Sequence, residues 1–147
     1  MSKPRYAVYY APAADSALWR FGSSVLGYDA LTGDDLPFAV PAGCDPDSWP
    51  GFTEEPRRYG FHATLKAPFE LADGRGEEQL RAFARNYAAG LDAVTLAGLS
   101  VTALGSFVAL TPSEPSEALQ RLAFATVQAF ELFRAPLSEA DKARRLK

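Results

Sequence analysis

The residues of this 147-residue chain that could do chemistry gather in one run, Tyr59-Gly-Phe-His-Ala-Thr-Leu-Lys-Ala-Pro-Phe69. Read as a strand over Phe61 to Phe69, the run alternates. Phe61, Ala63, Leu65, Ala67 and Phe69 go to one face, and His62, Thr64 and Lys66 to the other. An imidazole gives or takes a proton near neutral pH. A threonine hydroxyl can donate to a phosphoryl oxygen, and an ammonium offsets phosphate charge. Arg58, with Arg57 beside it, adds positive charge at the mouth of the strand, and Tyr59 opens the run as a further ligand contact. His62 and Thr64 are thus the candidate catalytic residues, with Lys66, Arg58 and Tyr59 as candidate substrate contacts. The chemistry they suit is the binding and cleavage of a phosphoester with no metal and no cofactor. The same row also fits the solvated face of a half-buried sheet, for which alternation alone is enough. His62 is the sole histidine, so a mechanism that needs two imidazoles is not completed by one copy of the chain.

The surrounding elements must hold that row. Arg5 to Ala11, rich in Tyr and Val, reads as a first strand buried on both faces for much of its length. Asp15 is placed to cap a helix running to about Leu26, with Leu18, Trp19, Gly22, Val25 and Leu26 on one face and Gly27 as its left-handed terminus. From Tyr28 to Arg57 the chain is rich in Pro and Gly and reads as a long irregular connection. After the Phe61–Phe69 strand comes the turn Asp73-Gly-Arg-Gly76. A helix over Glu77 to Leu91 follows, with Leu80, Phe83, Tyr87 and Leu91 along a stripe. Val94 to Ala103 and Ser106 to Thr111 read as a hairpin. Pro115 to Phe133 is a further helix with Leu119, Leu122, Ala123, Val127 and Phe130 inward, and Ser138 begins a last helical pattern. Interleaved helices and a hairpin favour an α+β fold, with helices packed on a mainly antiparallel sheet, in a single domain spanning residues 1–147.

Composition bounds the partners. Hydrophobic residues make up 48% and charged residues 22%, the mix of a soluble globular protein. A formal net charge of −3 gives no overall positive field for nucleic acid, so phosphate binding must be local. The Arg144-Arg145 pair reads most simply as the basic last turn of a helix. One cysteine, Cys44, rules out an internal disulfide framework. Asp34, Asp35, Asp45 and Asp47 lack a calcium-loop spacing and read as solvated. Most of Tyr6, Tyr9 and Tyr10, with Trp19, read as core packing. No secretory signal and no apolar stretch long enough for a membrane span is evident, which reads as cytoplasmic and without a membrane partner.

The run from Arg57 to Phe69 resembles the first signature of a phosphonate-metabolism protein family within the two-histidine (2H) phosphodiesterase superfamily. Arg5-Tyr-Ala-Val-Tyr-Tyr-Ala-Pro12, Leu18-Trp-Arg-Phe-Gly22 and Ala129-Phe-Glu-Leu-Phe-Arg-Ala-Pro136 resemble the same family, as does the stretch from Leu137 into the basic tail. The resemblance implies a bilobal fold in which each lobe brings one His-x-Thr/Ser strand to a central cleft. One histidine then acts as base and the other as acid, while the hydroxyl residues hold the phosphoryl oxygens. At the matching positions His62 is the acid or base and Thr64 the phosphate donor. Members of the family continue to a second His-x-Thr motif that this chain lacks. It therefore reads as a first lobe only: the product of a truncated gene or of proteolysis, a poor catalyst alone, with a surface exposed by the missing lobe that could support a homodimer.

Two functions follow as expectations. One is a phosphodiesterase-type protein acting on a small cyclic or linear phosphoester, a phosphonate-pathway or nucleotide-derived metabolite. The other is a non-catalytic phosphate-ligand binding or interaction module that kept the fold. Against both stands a soluble α+β domain whose His62 row is only a solvated face.

Overall fold

The computed structural model describes residues 4–137 and 142–143. Its order is β1 (Arg5–Tyr10), α1 (Ala17–Leu26), α2 (Trp49–Arg57), β2 (Ala63–Glu70), α3 (Glu77–Ala89), β3 (Leu99–Leu104), β4 (Phe107–Pro112) and α4 (Glu117–Ala129). A single 3-10 turn, Phe130–Phe133, continues from α4. β1 and β2 pair in one two-stranded sheet, and β3 and β4 in a second. The fold is α+β and its sheets are antiparallel. The helical pattern expected from Ser138 falls almost wholly outside the described residues.

The chain divides into two compact units, Val8–Leu65 and Met1–Ala7 with Lys66–Lys147. β1 and β2 each begin in one unit and end in the other, so the backbone passes between the units inside its strands.

In Val8–Leu65, α1 is the organising element. The Ser16 hydroxyl accepts the Trp19 N–H at 3.1 Å and is the cap, one residue beyond the expected Asp15. Gly27, at φ 64°, ends the helix in the left-handed conformation, as its position suggested. Trp19, Gly22, Ser23 and Leu26 form the buried face. The stretch after Gly27 is more ordered than an irregular connection. The Leu36 N–H bonds the Gly27 carbonyl at 3.0 Å, and the Ala39 N–H bonds that of Ser24 at 2.9 Å. The Trp49 indole donates to the Val25 carbonyl at 2.9 Å. α2 was not legible as a helix because Pro50, Gly51 and Pro56 all fall within it. Pro50 lies in the first turn, where a missing N–H costs nothing, and Pro56 in the last.

The core of the other unit is aromatic. Phe69, Leu80, Phe130 and Phe133 are buried. Phe83 meets Phe130 edge-on with centroids 5.1 Å apart, and Tyr87 meets Phe130 in the same way at 5.4 Å. The Tyr87 hydroxyl lies 3.1 Å from that of Thr126, which is fully buried and donates to the Leu122 carbonyl at 2.8 Å. The α3 stripe runs as far as Tyr87; Leu91 lies past the helix end and is exposed. Val127, expected inward, is exposed, and Thr126 takes the inward position on α4. The end of β2 is extended by the segment after the 3-10 turn. Leu71 bridges Arg134, and the Ala135 N–H bonds the Glu70 carbonyl at 2.8 Å.

β3 and β4 pair with Val101 opposite Leu110 and Ala103 opposite Val108. Leu99, Val101, Leu104, Phe107 and Val108 are all exposed, so this hairpin carries apolar side chains in water. β1 likewise departs from the expected double burial: its residues are half-buried or exposed.

Candidate functional site

Tyr59, Gly60, His62 and Thr64 come from the turn after α2 and the start of β2, and Tyr9 from β1; all lie within Val8–Leu65. Two close packings set the path of the chain into β2. Phe61 lies on α1 at Gly22, where an added Cβ would stand 2.1 Å from the ring. Gly60 adopts φ 71°, a left-handed conformation that disfavours any side chain, and a Cβ there would stand 2.3 Å from that of Ala30. Residue 30 is in turn placed by Asp29. Its carboxylate accepts the Leu31 N–H at 2.8 Å and the Trp19 indole N–H at 3.2 Å. The Leu31 N–H above all, with the Trp19 indole, holds the Asp29 carboxyl below the usual carboxylate range. Arg57 at the end of α2 pairs with Asp35 and stacks over Tyr28, with 5.4 Å from guanidinium carbon to ring centroid.

The left-handed turn aims the Gly60 carbonyl at His62, 2.9 Å from Nδ1. A carbonyl oxygen can only accept, so Nδ1 carries the hydrogen. In the neutral ring the lone pair is then on Nε2, which lies 3.3 Å from the Thr64 hydroxyl. Tyr9 stacks on the imidazole with ring centroids 3.8 Å apart and planes at 26°, and Tyr59 stands edge-on at 6.4 Å. His62 is half-buried and Thr64 exposed. The result is one imidazole, fixed in plane and tautomer, whose free nitrogen faces a hydroxyl two residues on. Such a pair can take a proton and donate a hydrogen bond to one oxyanion.

The structure treats the other expected site residues differently. Lys66 is 5% exposed; its ammonium donates to the Val127 carbonyl at 2.9 Å and to Glu131 at 2.5 Å. The expected two-faced alternation is therefore not kept along β2: Lys66 of the polar row is buried with Phe69, while Ala63 and Ala67 of the apolar row are exposed. Arg58, just past the end of α2, is exposed and pairs with Glu55 at 3.3 Å and Glu54 at 3.7 Å, both on α2. Tyr59 is 59% exposed. Tyr9 and Tyr10 are exposed where core packing was expected. Tyr9 reads as core in the sequence and not as the ring on His62, because a strand tyrosine carries no local mark of which turn it will meet. A cavity of about 410 Å³ is lined by Glu117, Gln120, Arg121 and Phe124. All four belong to α4, and Arg121 pairs with Glu117, so it is the groove of one helix face. Among the described residues no group of three or more His, Cys, Asp or Glu could hold a metal ion, and no helix is long and apolar enough to cross a membrane.

Known proteins resemble the chain along nearly all its length. It is 39% identical over 144 residues to the ribose 1,5-bisphosphate phosphokinase PhnN of Janthinobacterium sp. (strain Marseille), covering 98% of this chain and 32% of that protein. It is 38% identical over 135 residues to the protein of the same name from Laribacter hongkongensis (strain HLHK9), covering 90% of this chain and 31% of that one. The chain thus spans about a third of the length of these two curated relatives. No solved structure matches. A family described only as a protein of unknown function, DUF1045, matches residues 64–147, from Thr64 onward and over more than half of the sequence. The chain belongs to the DUF1045 family.

Proposed function

We propose that this chain provides one histidine half of a phosphoester site, of the two-histidine phosphodiesterase type, acting on a small phosphorylated metabolite of phosphonate metabolism. The observation that carries the reading is the His62 Nε2 lone pair facing the Thr64 hydroxyl at 3.3 Å, with Nδ1 tied to Gly60. Thr64 donates to a phosphoryl oxygen while Nε2 handles a proton. Tyr59, exposed beside the imidazole, is the neighbouring ligand contact, and Arg58, paired with Glu54 and Glu55, reaches a ligand only by exchanging those partners. Lys66 has no ligand role here, because its ammonium is buried on Glu131. The two relatives, named for an enzyme of a bisphosphorylated sugar, support a phosphorylated pentose or a related cyclic phosphate as the ligand class.

We place the phosphokinase activity for which those relatives are named in the two thirds of their length outside the match. The present chain has no Gly-x-x-x-x-Gly-Lys-Ser/Thr run with which to cradle a nucleotide phosphate. A second histidine, needed for acid and base together, must come from outside these 147 residues, because His62 is the only one. That single histidine favours a second reading as well, a phosphate-ligand binder without turnover.

Binding and turnover separate the two readings. Ribose phosphates and 2′,3′-cyclic nucleotides titrated into the protein are expected to move the His62 and Thr64 resonances. Thr64→Val should weaken binding about tenfold, the worth of a hydrogen bond to a charged oxygen. Any hydrolysis should fall by about 10²–10⁴ in His62→Ala. Ligand binding that ignores both substitutions would remove the site from the function, and binding without hydrolysis would select the binder.

A further inference from the structure

We infer that Tyr9 and the Gly60 carbonyl together hold His62 in one tautomer and one plane, so that Nε2 is the one ring nitrogen that exchanges a proton with the ligand. The inference rests on the phosphoester reading of the site for its function, but its geometry stands independently. An imidazole on a strand has two free torsions, and its ring can also flip to exchange Nδ1 for Cδ2. Two observations remove that freedom. Gly60 accepts from Nδ1 at 2.9 Å, which a flipped ring could not satisfy. Tyr9 covers one face of the ring at 3.8 Å and 26°, which blocks rotation out of plane. Tyr9 comes from β1 and Gly60 from the turn before β2, so pairing of the two strands assembles the lock.

The lock fixes which nitrogen carries the proton. With Nδ1–H committed to a backbone carbonyl, the neutral ring can offer only the Nε2 lone pair. A water molecule or ligand hydroxyl forms its bond to phosphorus as its proton passes to Nε2. The ester P–O bond breaks with its electron pair on the departing oxygen, which takes a proton from solvent. The imidazolium then returns its proton to water. Tyr9 touches only His62 in this scheme and is a positioning residue, not a catalytic one.

The test uses the single histidine as its own reporter. ¹⁵N-resolved NMR of the intact chain, with pH high enough to keep the ring neutral, should show the Nδ1–H tautomer. The His62 ring protons should lie upfield under the Tyr9 ring current. Tyr9→Leu should return those protons to ordinary positions and mix the tautomers, while Tyr9→Phe, which keeps the ring face, restores both signatures. A neutral Nε2–H tautomer in the wild type, or His62 signals unmoved by Tyr9→Leu, would overturn the inference. Inorganic phosphate, added as a probe, reads the underlying site separately. If the tautomer and ring-current signals are as expected but phosphate leaves His62 unmoved, the phosphoester reading fails and the lock is only structural.

Discussion

At the residue scale, the site depends on a glycine more than on any charged group. Gly60 is left-handed at φ 71° and sits over Ala30, and its carbonyl is what fixes Nδ1 of His62. A left-handed backbone costs an L side chain about 1–2 kcal/mol before any collision, and here a Cβ would also meet that of Ala30 at 2.3 Å. Gly60→Ala should therefore lower Tm by several degrees and release the His62 Nδ1 hydrogen bond. An unchanged melting curve with unchanged His62 resonances would show that the turn is not needed. His62 and Thr64 were legible in the sequence because period-two spacing alone brings them to one side. Lys66 continued the same spacing but not the same environment. Its long stem is buried and its head reaches Glu131 and a carbonyl of α4, a tertiary contact 61 residues or more away that alternation cannot foresee.

At the element scale, two glycines in helices have opposite meanings. Glycine costs a helix roughly 0.5–1 kcal/mol relative to alanine, so replacement ordinarily stabilises. Gly51 in α2 has nothing within 4 Å of its absent Cβ, and Gly51→Ala should raise Tm. Gly22 in α1 lies against Phe61, and Gly22→Ala forces that ring outward, at an overpacking cost of about 1–3 kcal/mol. Thermal melts of the two variants should move in opposite directions; a shared direction would mean that Phe61 does not rest on α1. The elements themselves were largely legible where a period ran unbroken. α1 with its Gly27 terminus, α3, the β3–β4 hairpin and α4 all appear near the expected positions. α2 was hidden because local propensity spoke against it, while its stability comes from tertiary contacts such as the Trp49 indole on the Val25 carbonyl.

At the scale of the whole molecule, one charged cluster couples acid to stability. In the unit that holds Lys66–Lys147, Glu131 receives Arg134 and Lys66, and these hydrogen bonds, with Arg134 the larger influence, bring its pKa down to about 2 from 4.5. A depressed carboxyl contributes stability that is full above its unfolded value and is lost as pH falls through the folded one. The window is therefore about 4.5 down to about 2. Glu131 is 44% exposed while Lys66 is 5% exposed. The pair is thus worth less than the ~3–5 kcal/mol lost when a fully buried pair is broken, and more than the ~0–1 kcal/mol of a surface pair. Glu131→Gln should lower Tm near neutral pH, and the gap to wild type should close as pH falls through that window. A gap that does not change with pH would remove the ion pair from the stability of this unit.

The packing around Gly60 and Gly22 bears on how related sequences are read. A His-x-Thr run is short enough to arise by chance, and it says nothing about whether the imidazole is aimed. Here the aim is encoded in residues outside the His62–Thr64 pair: a residue without a side chain at 22 under the ring of Phe61, a small one at 30 beneath Gly60, and an aromatic at 9. A homologue that keeps the histidine and threonine but carries bulk at 22, 30 or 60 would keep the letters of the motif and lose the orientation. A homologue with those positions intact retains the turn even if its motif has changed. The silent positions are thus the better diagnostic of an oriented imidazole.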